Sequence, residues 1–239
     1  MNKILITQPT FLPWLGYFDL IDQADVLVFL DDVQLDKRSW QTRNKIKLDQ
    51  VEKWITIPIL SKNLSKQKIR DTLINKEEFK INKLFNLILH SYGKSKFYSQ
   101  YNLELFNIFE STNRNFKLIE LNLKLINFLL LNFSINKKIF YSSSLNIDKK
   151  KSSKLIEICK KFKCSSLIST YGSKNYLEED ISFFKENKIK VFLHNYEHPV
   201  YNQVTEPFIS HVSALDLLFN EGTKSIQIIK SGRKKLIEL

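Results

Sequence analysis

A pair of adjacent carboxylates, three cations and several amides fall within fourteen residues: Asp31-Asp32-Val33-Gln34, then Lys37, Arg38, Arg43 and Asn44. Arginine forks suit a bidentate grip on phosphate or carboxylate. Paired aspartates can accept a proton from an amine, orient a sugar hydroxyl or hold Mg²⁺. Arginine is scarce here, five of the 37 basic residues, so two in this stretch are a concentration. A second stretch, Gln8-Pro9 through Trp14, Gly16 and Tyr17, leaves an apolar run at a proline break, with polar groups that can bind a ligand. A third holds three of the four histidines, His194, His198 and His211, with Tyr201, Gln203 and Asp216. His198 precedes Pro199, which suits a loop, and a His beside Asp216 is a candidate acid–base pair. A metal pair at His194 and His198 would need a helix, which Pro199 disfavours.

The elements that must position these groups read as alternating strands and helices. Ile4–Thr7 is a buried strand, Leu15–Ala24 a helix and Val26–Leu30 a second strand, the size of a βαβ unit. Trp54–Ile59 reads as a further strand. From 77 to 136 the pattern is helical, and Leu121–Phe133 is apolar nearly all round, as in a buried helix. Ile139–Tyr141, Ser165–Thr170 and Lys190–His194 read as strands. Lys149–Lys163, Tyr176–Asn187 and Ser213–Phe219 read as helices, the last with Ser213 as N-cap and Gly222 near its end. The fold class expected is α/β, a parallel Rossmann-like sheet with a helical insertion or cap at about 77–136, in one domain over 1–239. Gln8 then lies at the C-terminal end of the first strand, where such sheets bind ligands. The His198 loop, Asp216, Arg38 and Arg43 are expected to reach the same pocket.

Composition narrows the classes. The 239 residues are 43% hydrophobic and 26% charged, an ordinary globular balance. Five glycines and the absence of a Walker loop, a GxGxxG or a GxSxG elbow argue against the common nucleotide and hydrolase cradles. No apolar run is long enough for a membrane helix. The two cysteines, five apart on a helix, suggest neither a metal knuckle nor a disulfide. No signal peptide is legible, so a cytoplasmic location is expected. The net charge of +12 comes from lysines that are dispersed, and it accompanies many Asn, Ile, Phe and Tyr. A/T-rich codon usage accounts for it more simply than a polyanion partner does.

Together these segments resemble WbqC-like proteins, a bacterial family of gene clusters for O-antigen and other surface polysaccharides. The resemblance is carried by Gln8-Pro9, Leu12-Pro13-Trp14, Gly16-Tyr17-Phe18, Asp31-Asp32-Val33-Gln34, Arg38-Ser39-Trp40 and Arg43-Asn44. It continues in Tyr92 with Lys94, Tyr171-Gly172, Tyr201, Gln203, Phe208, Ser213 to Asp216, Asn220 and Gly222. It implies transfer of a glycyl or other acyl group to the amino group of a nucleotide-linked amino sugar in lipopolysaccharide biosynthesis. On that reading the base is His198 or Asp32, and Asp216 is a further catalytic residue near the histidine. Gln8 or Tyr17 contacts the oxyanion or sugar, and Arg38 and Arg43 grip the diphosphate. Pro9, Trp14, Gly16, Asp31, Gln34, Asn44, Tyr201 and Gln203 complete the binding residues. The acyl donor stays open: a carrier-protein thioester, which would make an acyl-carrier protein a partner, an aminoacyl-tRNA, or an acyl-adenylate made from ATP and Mg²⁺.

A second likeness is to the HIGH-type nucleotidylyltransferases, where Trp14-Leu15-Gly16-Tyr17 stands in place of His-x-Gly-His. It implies an ATP-dependent ligase or nucleotidyltransferase without the two histidines that steady the phosphate. A non-catalytic RNA- or complex-binding protein is the third possibility, and salt-dependent RNA binding would mark it.

Overall fold

The computed structural model describes residues 2–36, 39–60, 67–111 and 116–239. The chain runs β1 (Lys3–Thr7), α1 (Leu15–Gln23), β2 (Val26–Phe29), β3 (Arg43–Leu48) and β4 (Val51–Thr56). Three helices follow, α2 (Ile81–Tyr92), α3 (Tyr98–Glu110) and α4 (Leu118–Asn132). Then come β5 (Ile139–Tyr141), α5 (Lys151–Lys161), β6 (Ser166–Ser169), α6 (Lys174–Glu179), α7 (Ile181–Glu186) and β7 (Lys190–Leu193). The chain closes with α8 (Ala214–Glu221), α9 (Ser225–Ser231) and β8 (Ile237–Glu238).

Six strands form one sheet in the order β5-β2-β1-β6-β7-β8, parallel except for β8, which runs antiparallel to β7. The chain winds outward from β1 through β2 to β5, then restarts on the other side of β1 with β6. This is the doubly wound, Rossmann-like arrangement, with its switch point between β1 and β6. The strands alternate their apolar side chains between two cores, as the two-residue period of a strand requires. Leu5, Leu27, Phe29 and Ile168 join a large core with α1, α4 and α8. Ile4, Ile6, Val28, Leu167 and Val191 join a smaller one with α5 and Phe184 of α7.

The 77–136 region is helical as expected and packs into the large core: Tyr92, Leu105, Phe109 and Leu125 share it with Leu5 and Phe18. α4 is buried on nearly every side. Two elements differ from the expectation. The strand expected at Trp54–Ile59 is Val51–Thr56, and it pairs with β3 in a separate antiparallel hairpin rather than joining the main sheet. The helix expected over Tyr176–Asn187 is two short helices broken at Asp180, whose carboxylate accepts from the Ser152 hydroxyl. Both cysteines are buried and free, and burial pushes the Cys159 thiol up to about 12. No helix among the described residues is long and apolar enough to cross a membrane.

Candidate functional site

The first turn of α8 carries Asp216, 1% exposed. Ser213 caps this helix, accepting from the Leu215 N–H at 3.3 Å. Two flanking backbone bonds fix the entry: Ser213 N–H donates to the Lys45 carbonyl and Ala214 N–H to the Pro13 carbonyl, each at 2.8 Å. The opening loop and the hairpin therefore aim the helix that bears the carboxylate. Asp216 Oδ1 accepts from the Tyr201 hydroxyl at 2.9 Å and from Gln203 Nε2 at 3.0 Å. Burial raises its pKa to about 6, although the bonds from Tyr201 and Gln203, the Lys47 charge and the Tyr92 hydroxyl all pull it down. A carboxylate tuned near neutrality suits general-base work.

Lys47, on β3 and 3% exposed, faces the same pocket. Its ammonium donates to Gln203 Oε1 at 3.0 Å, to the Pro207 carbonyl at 2.6 Å and to the Thr205 carbonyl, which fills all three of its donors. Burial lowers its pKa, and the nearby Asp216 and Glu206 charges oppose that. The Tyr92 hydroxyl accepts from the Lys47 backbone N–H at 3.3 Å. Lys47, Tyr92, Lys94, Thr205 and Asp216 line an open cavity of about 480 Å³.

His198 lies behind this pocket, in an aromatic stack. Its ring is 6.1 Å from Trp14, 6.3 Å from Tyr201 and 4.8 Å from His211, centroid to centroid. The C-terminal loop thus returns to Trp14 across more than 180 residues, but neither His198 nor Gln8 lines the Asp216 cavity, so the single pocket expected at the end of β1 is not the one these groups share. Nδ1 lies 2.9 Å from the Pro199 carbonyl, and Nε2 is buried without a partner. Burial lowers the imidazole pKa to about 4, so the ring is neutral at physiological pH. His194 goes elsewhere: its Nε2 is 2.8 Å from the fully buried Asp19, which also accepts from Arg233.

The rest of the opening motif is a buried hub whose polar groups are taken up internally. The Tyr17 hydroxyl donates to the Gln8 carbonyl at 2.9 Å, and the Gln8 side chain accepts from Gln41. Asn122 Nδ2 donates to the Pro9 carbonyl at 3.1 Å. Asn44 Nδ2 donates to the Phe11 and Leu12 carbonyls at 3.1 and 2.7 Å, holding Leu12 at a φ of 43°. Gly16 lies under the Trp14 indole, where a Cβ would come within 2.3 Å of the ring. Asn44 and Gly16 therefore shape the site rather than line the Asp216 pocket.

The aspartate pair has a different job from the one its spacing suggests. Asp31 accepts from the Ser143 backbone N–H at 2.8 Å and from the Ser142 and Ser143 hydroxyls. Asp32 holds Lys154 at 2.6 Å and accepts from Ser142. Burial raises the Asp32 pKa, but the Lys154 and Ser142 bonds outweigh it and leave it below the usual carboxylate value. Asp32 is thus a poorer base than Asp216, and the pair ties β2 to β5 and α5. Gln34 is exposed and forms an isolated bridge with Lys68. Arg43 does not line the Asp216 pocket; its guanidinium sits 4.4 Å over the Trp54 ring. Arg38 lies outside the described residues.

The segments that meet here, from Gln8 through Tyr92 to Asp216, are also those that a family signature spans. The model described as the WbqC-like protein family matches residues 8–228. The chain belongs to that family. Among relatives, "Uncharacterized protein Rv1507c" of Mycobacterium tuberculosis is 30% identical over 236 residues, 98% of this chain and all of that protein. No solved structure matches. The WbqC-like match covers the opening motif and also the β3–β4 hairpin, Tyr92 with Lys94, and α8, which line the pocket.

Lys47 is one of the pocket residues that the sequence did not reveal, with Asp49, His90 and Thr205. It sits in Arg-Asn-Lys-Ile-Lys-Leu, which reads as a charged surface segment, and only its pairing with β4 and packing under Tyr92 bury it. Tyr92 and Lys94 were visible only through the family resemblance.

Proposed function

We propose that this protein transfers a glycyl or other acyl group to the amino group of a nucleotide-linked amino sugar, with Asp216 as the base. The observation that carries the reading is a nearly neutral-pKa carboxylate at the floor of an open cavity with lysines on its walls. The amino sugar enters as its ammonium. Asp216, ionised above pH 6, removes one proton. The freed lone pair attacks the acyl carbonyl and a C–N bond forms; the bond to the donor's thiol, ribose hydroxyl or phosphate then breaks with its electrons going to the leaving group, and the nitrogen's second proton passes to that leaving group or to water. The charge of Lys47, fixed by three acceptors, favours the oxyanion that develops on the carbonyl. Tyr201 positions the base, and His198 positions Tyr201 by stacking. Family membership supports a role in surface-polysaccharide synthesis, where amino sugars are acylated.

The alternative, an ATP-dependent ligase or nucleotidyltransferase, has the strand order in its favour. The switch point between β1 and β6 is where such sheets bind nucleotides, and Tyr171 is exposed just beyond β6. ATP–pyrophosphate exchange separates the two readings. Exchange without an amino-sugar acceptor supports the ligase, and acyl transfer from a preformed thioester or aminoacyl-tRNA without ATP supports the acyltransferase.

A further inference from the structure

The cavity beside Asp216 does not end at Lys94. Lys94 and Val204 also line a second hollow of about 420 Å³, whose other walls include Ser95, Lys96, Phe97 and Lys224. α3, thirteen residues long, begins at this hollow. Its N-cap, Phe97, offers no side-chain acceptor, and its first turn carries no acid. The positive dipole end of such a helix favours an anion, although the Tyr98 and Gln100 N–H groups are already taken up by the Ser95 and Phe97 carbonyls.

A second observation points the same way. Ser95 is only 8% exposed, yet its hydroxyl has no partner. A buried orphan hydroxyl in the wall of an open hollow is a donor that a bound oxyanion would satisfy. Charge agrees with this. Lys94, Lys96 and Lys224 are exposed and not ion-paired among the described residues, whereas Lys45, Lys154 and Lys234 each hold a carboxylate. One acid, Glu221, stands against these three cations on the rim, and it accepts from the Asn202 N–H at 3.2 Å.

We propose that this hollow is a diphosphate subsite. Lys94, Lys224 and the Ser95 hydroxyl grip the diphosphate of a nucleotide-linked ligand at the start of α3. Lys94, common to both cavities, sets the sugar beside Asp216 and the nucleoside beyond Lys224. The proposal rests on the acyl-transfer reading for the sugar but not for the anion.

The test is calorimetric titration of the full chain with inorganic pyrophosphate, inorganic phosphate and uridine diphosphate. The variants are the double Lys94→Ala/Lys224→Ala, Ser95→Ala, and a control Lys53→Ala/Lys83→Ala in the separate hollow beside Trp54. Both lysine pairs are at the surface or in an open hollow, so melting temperatures should stay at the wild-type value. Pyrophosphate and the nucleotide should bind more tightly than phosphate. The Lys94/Lys224 variant should lose about tenfold or more of that affinity, as charge-assisted bonds go. Ser95→Ala should lose several-fold, and the control should be unchanged. Absence of pyrophosphate binding, or equal affinity in the Lys94/Lys224 variant, overturns the subsite. Pyrophosphate binding lost in that variant supports the subsite even if the protein acylates no amino sugar, a result that would remove only the acyl-transfer reading. Amino-sugar acylation with the same KM in the variant removes the subsite and leaves acyl transfer standing.

Discussion

The Tyr201 hydroxyl donates to Asp216 Oδ1 at 2.9 Å, and the other side of the same tyrosine belongs to the stack that includes His198. Through this one ring, the carboxylate in the pocket is mechanically joined to the Trp14 of the opening motif. The arrangement separates a group that faces the cavity from groups that hold it in place, and the two kinds should respond differently to substitution.

Asp216→Asn retains an oxygen for Tyr201 and Gln203 but removes the base. Turnover should fall by about 10²–10⁴-fold. In the wild type, kcat/KM should rise with pH through an apparent pKa near 6, the value to which burial raises Asp216. The variant should lose that limb of the profile.

Stability should titrate as well. Asp216 has a folded pKa of about 6, above its ordinary 3.8, so its contribution is full below 3.8 and is lost as pH rises through 6. His198 has a folded pKa of about 4, below its ordinary 6.5, so its contribution is present above 6.5 and is lost as pH falls through 4. The two slopes oppose each other over one window. Burial also lowers the His211 pKa, which adds to the His198 slope, so urea midpoints between pH 4 and 7 should be flatter in the wild type than in Asp216→Asn. They should rise with pH in Asp216→Asn and fall with pH in His198→Phe. At about 1.4 kcal/mol per pKa unit, the Asp216 part is about 3 kcal/mol.

Lys47→Met should move the activity profile. Its charge is one of the influences holding the Asp216 pKa down, so the apparent pKa should shift upward. The loss would also free the carbonyls of Thr205 and Pro207. Limited proteolysis should then cut the 203–207 segment faster than in the wild type.

Much of the scaffold was legible because β1, β2, β6 and β7 are short apolar runs and α4 is apolar on almost all sides. The hairpin was half-legible: Arg43–Leu48 carries three cations in six residues, and burial of Lys47 depends on partners 45 and more residues away. The same limit applies to the site. Asp216, Tyr201 and Gln203 stood out as polar residues with little use in a core. Asp31 and Asp32 stood out equally, and their spacing held no sign that Ser142, Ser143 and Lys154 take them up. Spacing along a chain shows which groups can meet, and the winding of the sheet decides which do.

Gly16→Ala tests the scaffold. Its Cβ would sit 2.3 Å from the Trp14 ring, so the indole must move and disturb its stacks on His198 and His211. Overpacking of this kind costs about 1–3 kcal/mol. A lower denaturation midpoint with altered tryptophan fluorescence is the expected outcome. Asn44→Ala strands the Phe11 and Leu12 carbonyls in a buried setting and should cost about 2 kcal/mol or more.

Acyl transfer by Asp216 is tested by mass spectrometry of nucleotide-linked amino sugars incubated with the protein and each of three glycyl donors. These are a carrier-protein thioester, glycyl-tRNA, and glycine with ATP and Mg²⁺. Acyl transfer with Asp216 as the base predicts that one donor adds a single glycyl unit to the sugar's amino group in the wild type, and that Asp216→Asn adds almost none while keeping its fold. No acylated sugar with any donor or other acyl analogue, or full acylation by Asp216→Asn, would contradict it.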